Sequence, residues 1–226
     1  MAAILKANTV AQSGDGDDVY LRAMLSGELG FADYYAISAL RGRVFTAASI
    51  SVTTPTTFEA TSTIDVTKSL FMAVVPSGVA IIPMNIEVYF EAFGTSAQTE
   101  LQALIGKGGS RTSGMTAITP VRSRSDIGGG GNVTCWMGGN STVTVGPTSN
   151  INYFWRTGKQ FAITKTAESA TVSSWDPNRF VWSALADSSF NVCGPDSQLV
   201  LNQGSQAGTG FVKVQYIEIP ASELPA

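Results

Sequence analysis

Val79-Ala80-Ile81-Ile82-Pro83-Met84-Asn85-Ile86-Glu87-Val88-Tyr89-Phe90-Glu91-Ala92-Phe93 is the stretch that decides the fold class. Past Pro83 the residues alternate: Ile86, Val88 and Phe90 fall on one face, Asn85, Glu87, Tyr89 and Glu91 on the other. A period of two belongs to a strand with one face in a core and the other in solvent. Pro83 removes a ladder donor, so an edge, a bulge or a strand start is expected there. Upstream, Leu70 to Val75 is a short apolar run closed by the turn signal Pro76-Ser77-Gly78. Downstream, Thr99 to Ile105 reads as the hairpin partner of the long strand, across Gly94 to Gln98.

The same texture extends in both directions. Val44 to Thr53 and Phe58 to Val66 are expected strands before this region. After it come Asn132–Met137, Thr142–Val145, Ile151–Trp155, Phe161–Thr166, Phe180–Leu185, Gln198–Leu201 and Gly210–Ile219. In the last, Val212, Val214 and Tyr216 oppose Lys213 and Gln215, and the parity shifts at Ile217. About ten strands, no internal repeat and no long helical pattern give an all-β chain, a single jelly-roll β-sandwich over residues 44–226. Gly106 to Gly131 is polar and carries Lys107, Arg111, Arg122, Arg124 and four successive glycines. It is too long for a turn, and reads as a surface excursion or as two loops around a short strand.

Residues 1–43 have a different character. Ser13-Gly14-Asp15-Gly16-Asp17-Asp18 and Gly27-Glu28-Leu29-Gly30 break up short apolar clusters that keep neither a helical nor a strand period. Such a segment is expected to be an extended N-terminal arm that orders by docking on neighbouring subunits. Its candidate anchors are Tyr20, Phe31, Tyr34 and Tyr35, with Arg41 and Arg43 offering forked hydrogen bonds to a partner's carboxylates or carbonyls.

Composition narrows the function. The 226 residues contain no histidine, so the usual acid–base group and commonest metal ligand are absent. A serine or cysteine hydrolase then lacks its ordinary base. Glu87 and Glu91 share a strand face but stand ~13 Å apart at strand rise, beyond glycosidase spacing, although Glu100 could approach from another strand. Asp15, Asp17 and Asp18 lack the later carboxylate of a calcium hand, and Gly106-Lys107-Gly108-Gly109-Ser110 lacks the upstream glycine of a phosphate loop. The expectation is no enzyme, no catalytic residue, no metal and no cofactor. With a net charge of −3 and 14% charged residues, broad nucleic-acid binding has no electrostatic basis. No run approaches the ~18 apolar residues of a membrane span, and residues 1–11 do not form a signal peptide, so synthesis in a cytosol is expected. Cys135 and Cys193, far apart and without a CxxC spacing, read as buried thiols. Trp136, Trp155 and Trp182 lie in strand-like runs and are expected in a core or an interface, while Trp175 sits in a turn before Asp176-Pro177-Asn178.

Gly27 to Ile37 followed by Ser38-Ala39-Leu40-Arg41-Gly42-Arg43-Val44-Phe45-Thr46 resembles the entry segment of tailed-bacteriophage virion proteins that decorate the capsid. Val79 to Val88 is similar to their strand after the first turn, and Gly208 to Ile219 to their closing strand. The resemblance implies a jelly-roll cement protein, a homotrimer on the outer capsid surface of the virion, assembled in the host bacterial cytoplasm. Its partner would be the major capsid protein, and no catalytic residue carries over. Two other classes remain open: a receptor- or glycan-binding head of a fibre, and a shell-forming coat protein. The latter usually carries a basic arm, whereas this one is acidic around Asp15 to Asp18.

Overall fold

The computed structural model describes residues 6–7, 19–20, 34–49, 55–58, 64–65, 67–93, 98–138, 143–160, 179–204 and 208–224. Ahead of the body lie a two-residue antiparallel pair, β1 (Lys6–Ala7) with β2 (Val19–Tyr20), and a short helix α1 (Tyr34–Leu40). The strands that follow are β3 (Val44–Ala48), β4 (Thr56–Phe58), β5 (Ser69–Val75), β6 (Val79–Phe93) and β7 (Gln98–Lys107). Next come β8 (Ser110–Ser113), β9 (Thr116–Ile118), β10 (Val121–Arg122), β11 (Thr134–Met137) and β12 (Val143–Val145). The last four are β13 (Ser149–Gln160), β14 (Arg179–Ser183), β15 (Ser197–Gly204) and β16 (Gly208–Pro220), before a 3-10 turn at Ala221–Glu223.

Two antiparallel sheets pack as a sandwich. One has the order β10-β3-β16-β6-β14, with β4 continuing the line of β3 along β16; the other has the order β13-β7-β15-β5-β11-β9. Alternation decides which way each strand faces. Ile86, Val88 and Phe90 of β6 and Val212, Val214 and Tyr216 of β16 are buried, while Tyr89 and Lys213 point outward. The two inner faces interdigitate around Trp182, Tyr216, Phe58, Phe71 and Phe90, all fully buried. Phe90 meets Phe58 and Phe180 edge to face at 5.1 and 5.8 Å, and Phe154 reaches across from β13 to Trp182 of β14 at 4.8 Å. Edge-to-face contacts match the ring quadrupoles, and each adds ~0.5–1.5 kcal/mol beyond its area burial.

The long strand is continuous through Pro83. The ladder with β16 skips Met84 there, pairing Tyr216 with Pro83 and Gln215 with Asn85, so the proline sits at a bulge. The expected hairpin between this strand and the next does not form. β6 pairs with β16 and β14, whereas β7 belongs to the opposite sheet, between β13 and β15. Both strands have an apolar face to bury, and placing them in facing sheets lets each bury it against the other's layer rather than beside it.

The region 106–131 resolves into structure. It supplies β8, which pairs with β12, and β9 and β10, which extend the two main sheets at the same side of the sandwich. Met115, within this excursion, caps a second apolar cluster with Met72, Leu104 and Val200, against which Trp136 and Val74 pack. That cluster covers the outer face of the second sheet around Val200 of β15, a strand buried along its whole length. The excursion is tied down at its far end by Glu218, which accepts hydrogen bonds from the Asn132 backbone N–H and the Asn132 side-chain amide.

The expected strands at 44–53 and 142–145 correspond in the described residues to β3 and β12; of the one expected at 58–66, Phe58 ends β4, Ile64 and Asp65 are not in a strand, and 50–54, 59–63, 66 and Phe161–Thr166 lie outside the described residues. Cys135 and Cys193 are buried free thiols. No helix among the described residues is long and apolar enough to cross a membrane.

Candidate interaction surfaces

The root of the N-terminal segment is the first surface. Helix α1 ends where Gly42 takes φ +68°, a left-handed conformation that returns Gly42 N–H to Ala39 O and Arg43 N–H to Ser38 O. The chain then enters β3 directly. Ser38 is buried, and Tyr35 and Ala39 pack half-buried on the main core, so this turn is part of the sandwich. Around it gather four arginines. Arg43 forks onto Glu223 at 2.6 and 2.7 Å, Arg124 onto Asp126 at 2.7 and 2.8 Å, and Arg124 also donates to Leu40 O. Arg122 lies 5.0 Å above the Phe45 ring and donates to Gly42 O and Gly129 O. These contacts hold the Glu223 and Asp126 carboxyls below the usual carboxylate range, in each case chiefly through the arginine hydrogen bond.

The anchors expected from sequence are thus placed unequally. Tyr20 stands in β2 opposite Lys6, Tyr34 opens α1, and nothing further of their side chains is described; Phe31 lies outside the described residues. Tyr35 is turned to the core. Arg43 is occupied by Glu223 within the chain, which leaves Arg41, exposed, as the guanidinium facing solvent beside that pair. Two apolar side chains that the sequence reading passed over are exposed on the same region: Leu40 at 69% and Val121 at 66%.

The second surface runs along the opposite side of the sandwich, where β13 and β14 are the outermost strands of their sheets. Ile151 and Tyr153 of β13, Val181 of β14 and Leu185, Phe190 and Val192 of the following turn are all exposed. Asn152 Nδ2 donates to Asn191 Oδ1 at 2.9 Å, fastening that turn to β13. The turn residues are thereby held against β13, while Val181 faces outward from the first sheet opposite Glu87. The sequence signal of these apolar residues was weak. Ile151–Trp155 carries apolar or aromatic residues on both parities, which does not separate a doubly buried strand from one with an exposed apolar face.

Chemical capacity is low across the described residues. Glu87 bonds Arg179 at 2.7 Å and belongs to the first sheet; Glu100 pairs with Arg156 at 3.4 Å in the second. They do not form a carboxylate pair. Burial pushes both thiols up to about 12, so neither Cys135 nor Cys193 offers a thiolate nucleophile. No group of three or more cysteine or acidic side chains able to hold a metal occurs among the described residues. Trp182 is in the core, Trp136 and Trp155 are half-buried against apolar clusters, and Trp175, like Asp15 to Asp18, lies outside the described residues. Comparison with protein-family models, with curated proteins and with solved structures found no match.

Proposed function

We propose that this chain is a structural virion protein that decorates a bacteriophage capsid, bridging neighbouring subunits of the major capsid protein as a homotrimer. The observation that carries the reading is the set of exposed apolar side chains around Tyr153 and Phe190, in a chain of 14% charged residues. Exposed apolar side chains held on rigid strands favour a covered surface, because burying them recovers ~25 cal/mol per Å² at little ordering cost. A cement acts in that way: it adds buried area across several shell subunits at once, and linkage among its copies multiplies weak contacts.

We further propose that the sandwich is a jelly roll. What supports this is the pairing of its eight principal strands, β3, β5, β6, β7, β13, β14, β15 and β16, counted one to eight. First pairs with eighth and third with sixth in one sheet, second with seventh and fourth with fifth in the other. A single long hairpin, folded between the fourth and fifth strands and then rolled, generates that nested order. Residues 1–33 would form the arm that reaches a neighbouring subunit, leaving the body at α1 beside Arg41 and Leu40.

Sedimentation of purified protein with phage shells lacking it tests the reading. Binding at a fixed ratio to the coat protein is expected, with a free mass near three times 23.7 kDa. Replacing Tyr153 and Phe190 by serine should weaken trimer or shell association without unfolding the body. A monomer that never sediments with shells would overturn it.

A further inference from the structure

The outward face of the first sheet holds a shallow depression of about 340 Å³, floored by β3, β16 and β6 and lined in part by Glu87, Tyr89, Phe211 and Lys213. Strand register builds it. Tyr89 lies directly opposite Phe211, and Glu87 directly opposite Lys213, on neighbouring strands. Their alternation with buried Val88 and Val212 turns all four to the same side. The Tyr89 and Phe211 rings are 6.5 Å apart and tilted by 30°, so they lie beside each other as a platform. Tyr89 remains 44% exposed.

The charges around this platform do not cancel. Glu87 is bonded to Arg179 of β14 at 2.7 Å, and Arg179 stands opposite Tyr89 in the ladder. The Lys213 side chain has no ion pair or hydrogen bond among the described residues, so with Glu87 bonded to Arg179 the rim keeps one net positive charge beside the rings. Two aromatic faces with a rim of one donor cation, one carboxylate and one uncompensated ammonium match an amphipathic ring that carries hydroxyls and a negative charge.

We propose that this face binds a carboxylated pyranose, a uronic-acid unit of an acidic polysaccharide. The apolar C–H face of the sugar lies on Tyr89 and Phe211. Its hydroxyls meet the Glu87 carboxylate and the Arg179 guanidinium, and its carboxylate accepts a charge-assisted hydrogen bond from Lys213. The site takes Arg179 from β14, whose Val181 lies opposite Glu87, so it borders the β13–β14 side; it does not depend on shell decoration.

Affinity electrophoresis of the full chain in gels containing polygalacturonate, its methyl ester or polyglutamate tests this. The wild type should be retarded most by polygalacturonate, about tenfold less by the ester, and least by polyglutamate. Tyr89→Ala and Phe211→Ala should each weaken polygalacturonate binding about tenfold. Lys213→Gln should abolish the preference for the acid over the ester while keeping the residual ester binding. Tyr89 is exposed and Phe211 and Lys213 are half-buried on the outward face, and the thermal melting of each variant, expected unchanged, certifies its fold. No retardation of the wild type by polygalacturonate, equal retardation by polyglutamate, or full binding by Phe211→Ala would each overturn the proposal.

Discussion

Replacing Gly210 by alanine should cost ~3–5 kcal/mol of folding stability, a large part of the ~5–15 kcal/mol that holds a domain together. A Cβ at this position would lie 2.0 Å from Tyr89 O, 2.9 Å from Phe58 Cε2 and 3.0 Å from Phe90 Cα. Two of these three are main-chain atoms, so no rotamer change relieves the clash, and β16 must move away from β6. Gly210 is the residue at which the β6–β16 register shifts, and β4 pairs with it on the other edge. Separation therefore strains two ladders at once. Overpacking alone costs ~1–3 kcal/mol, and each weakened ladder bond adds ~0.5–1.5 kcal/mol. Gly78→Ala is the control, since its Cβ would have nothing within 4 Å. There the loss of unfolded-state freedom leaves stability unchanged or slightly raised. Urea unfolding followed by tryptophan fluorescence, at one protein concentration to hold any oligomer equilibrium fixed, should move the midpoint of Gly210→Ala down by roughly 1–2 M. Gly210→Ala unfolding within 1 kcal/mol of wild type would refute the strand approach described above.

Three further outcomes follow from the geometry. With both thiols raised to about 12 by burial, the thiolate fraction at pH 8 is on the order of one in ten thousand; a thiol reagent should leave native Cys135 and Cys193 unlabelled for hours and titrate two groups in urea. Glu218→Gln exchanges an acceptor for a donor in front of the Asn132 N–H groups, and should cost ~1.5–3 kcal/mol while accelerating amide exchange at Asn132; unchanged exchange there would mean that Glu218 does not tether the excursion. The Arg43–Glu223 pair is exposed, so Glu223→Gln should cost well under 1 kcal/mol at pH 7. Because Arg43 depresses the folded carboxyl, this contribution exists above the ordinary carboxylate range and disappears as pH falls through the depressed value; a wild-type advantage that grows on acidification would contradict the pairing.

Much of the sandwich was legible because its inner strands obey period two. Val79–Phe93 reads as one strand with a disturbance at Pro83, and it is one strand with a bulge there. Partner choice was not legible. β6 and β7 adjoin in sequence, and nothing in the alternation of either says whether its neighbour lies beside it or in the facing sheet. The excursion at 106–131 hid its strands because β9 and β10 are only three and two residues long, below any periodicity window. Of the candidate contact residues, Arg41 and Arg43 were picked out by charge as donors to a partner, yet Arg43 is occupied by Glu223, 180 positions away. A pairing at that separation leaves no local trace. Tyr89 and Phe211 were read only as members of alternating strands; their juxtaposition needs the register.

The central claim, that this chain strengthens a shell, is tested most directly by the temperature of genome release. Phage particles made without the protein are heated beside particles to which purified protein has been added back. The account predicts that depleted particles release DNA at a lower temperature, that addition restores the wild-type value, and that protein lacking residues 1–33 restores it less. Identical release temperatures with and without bound protein would contradict it.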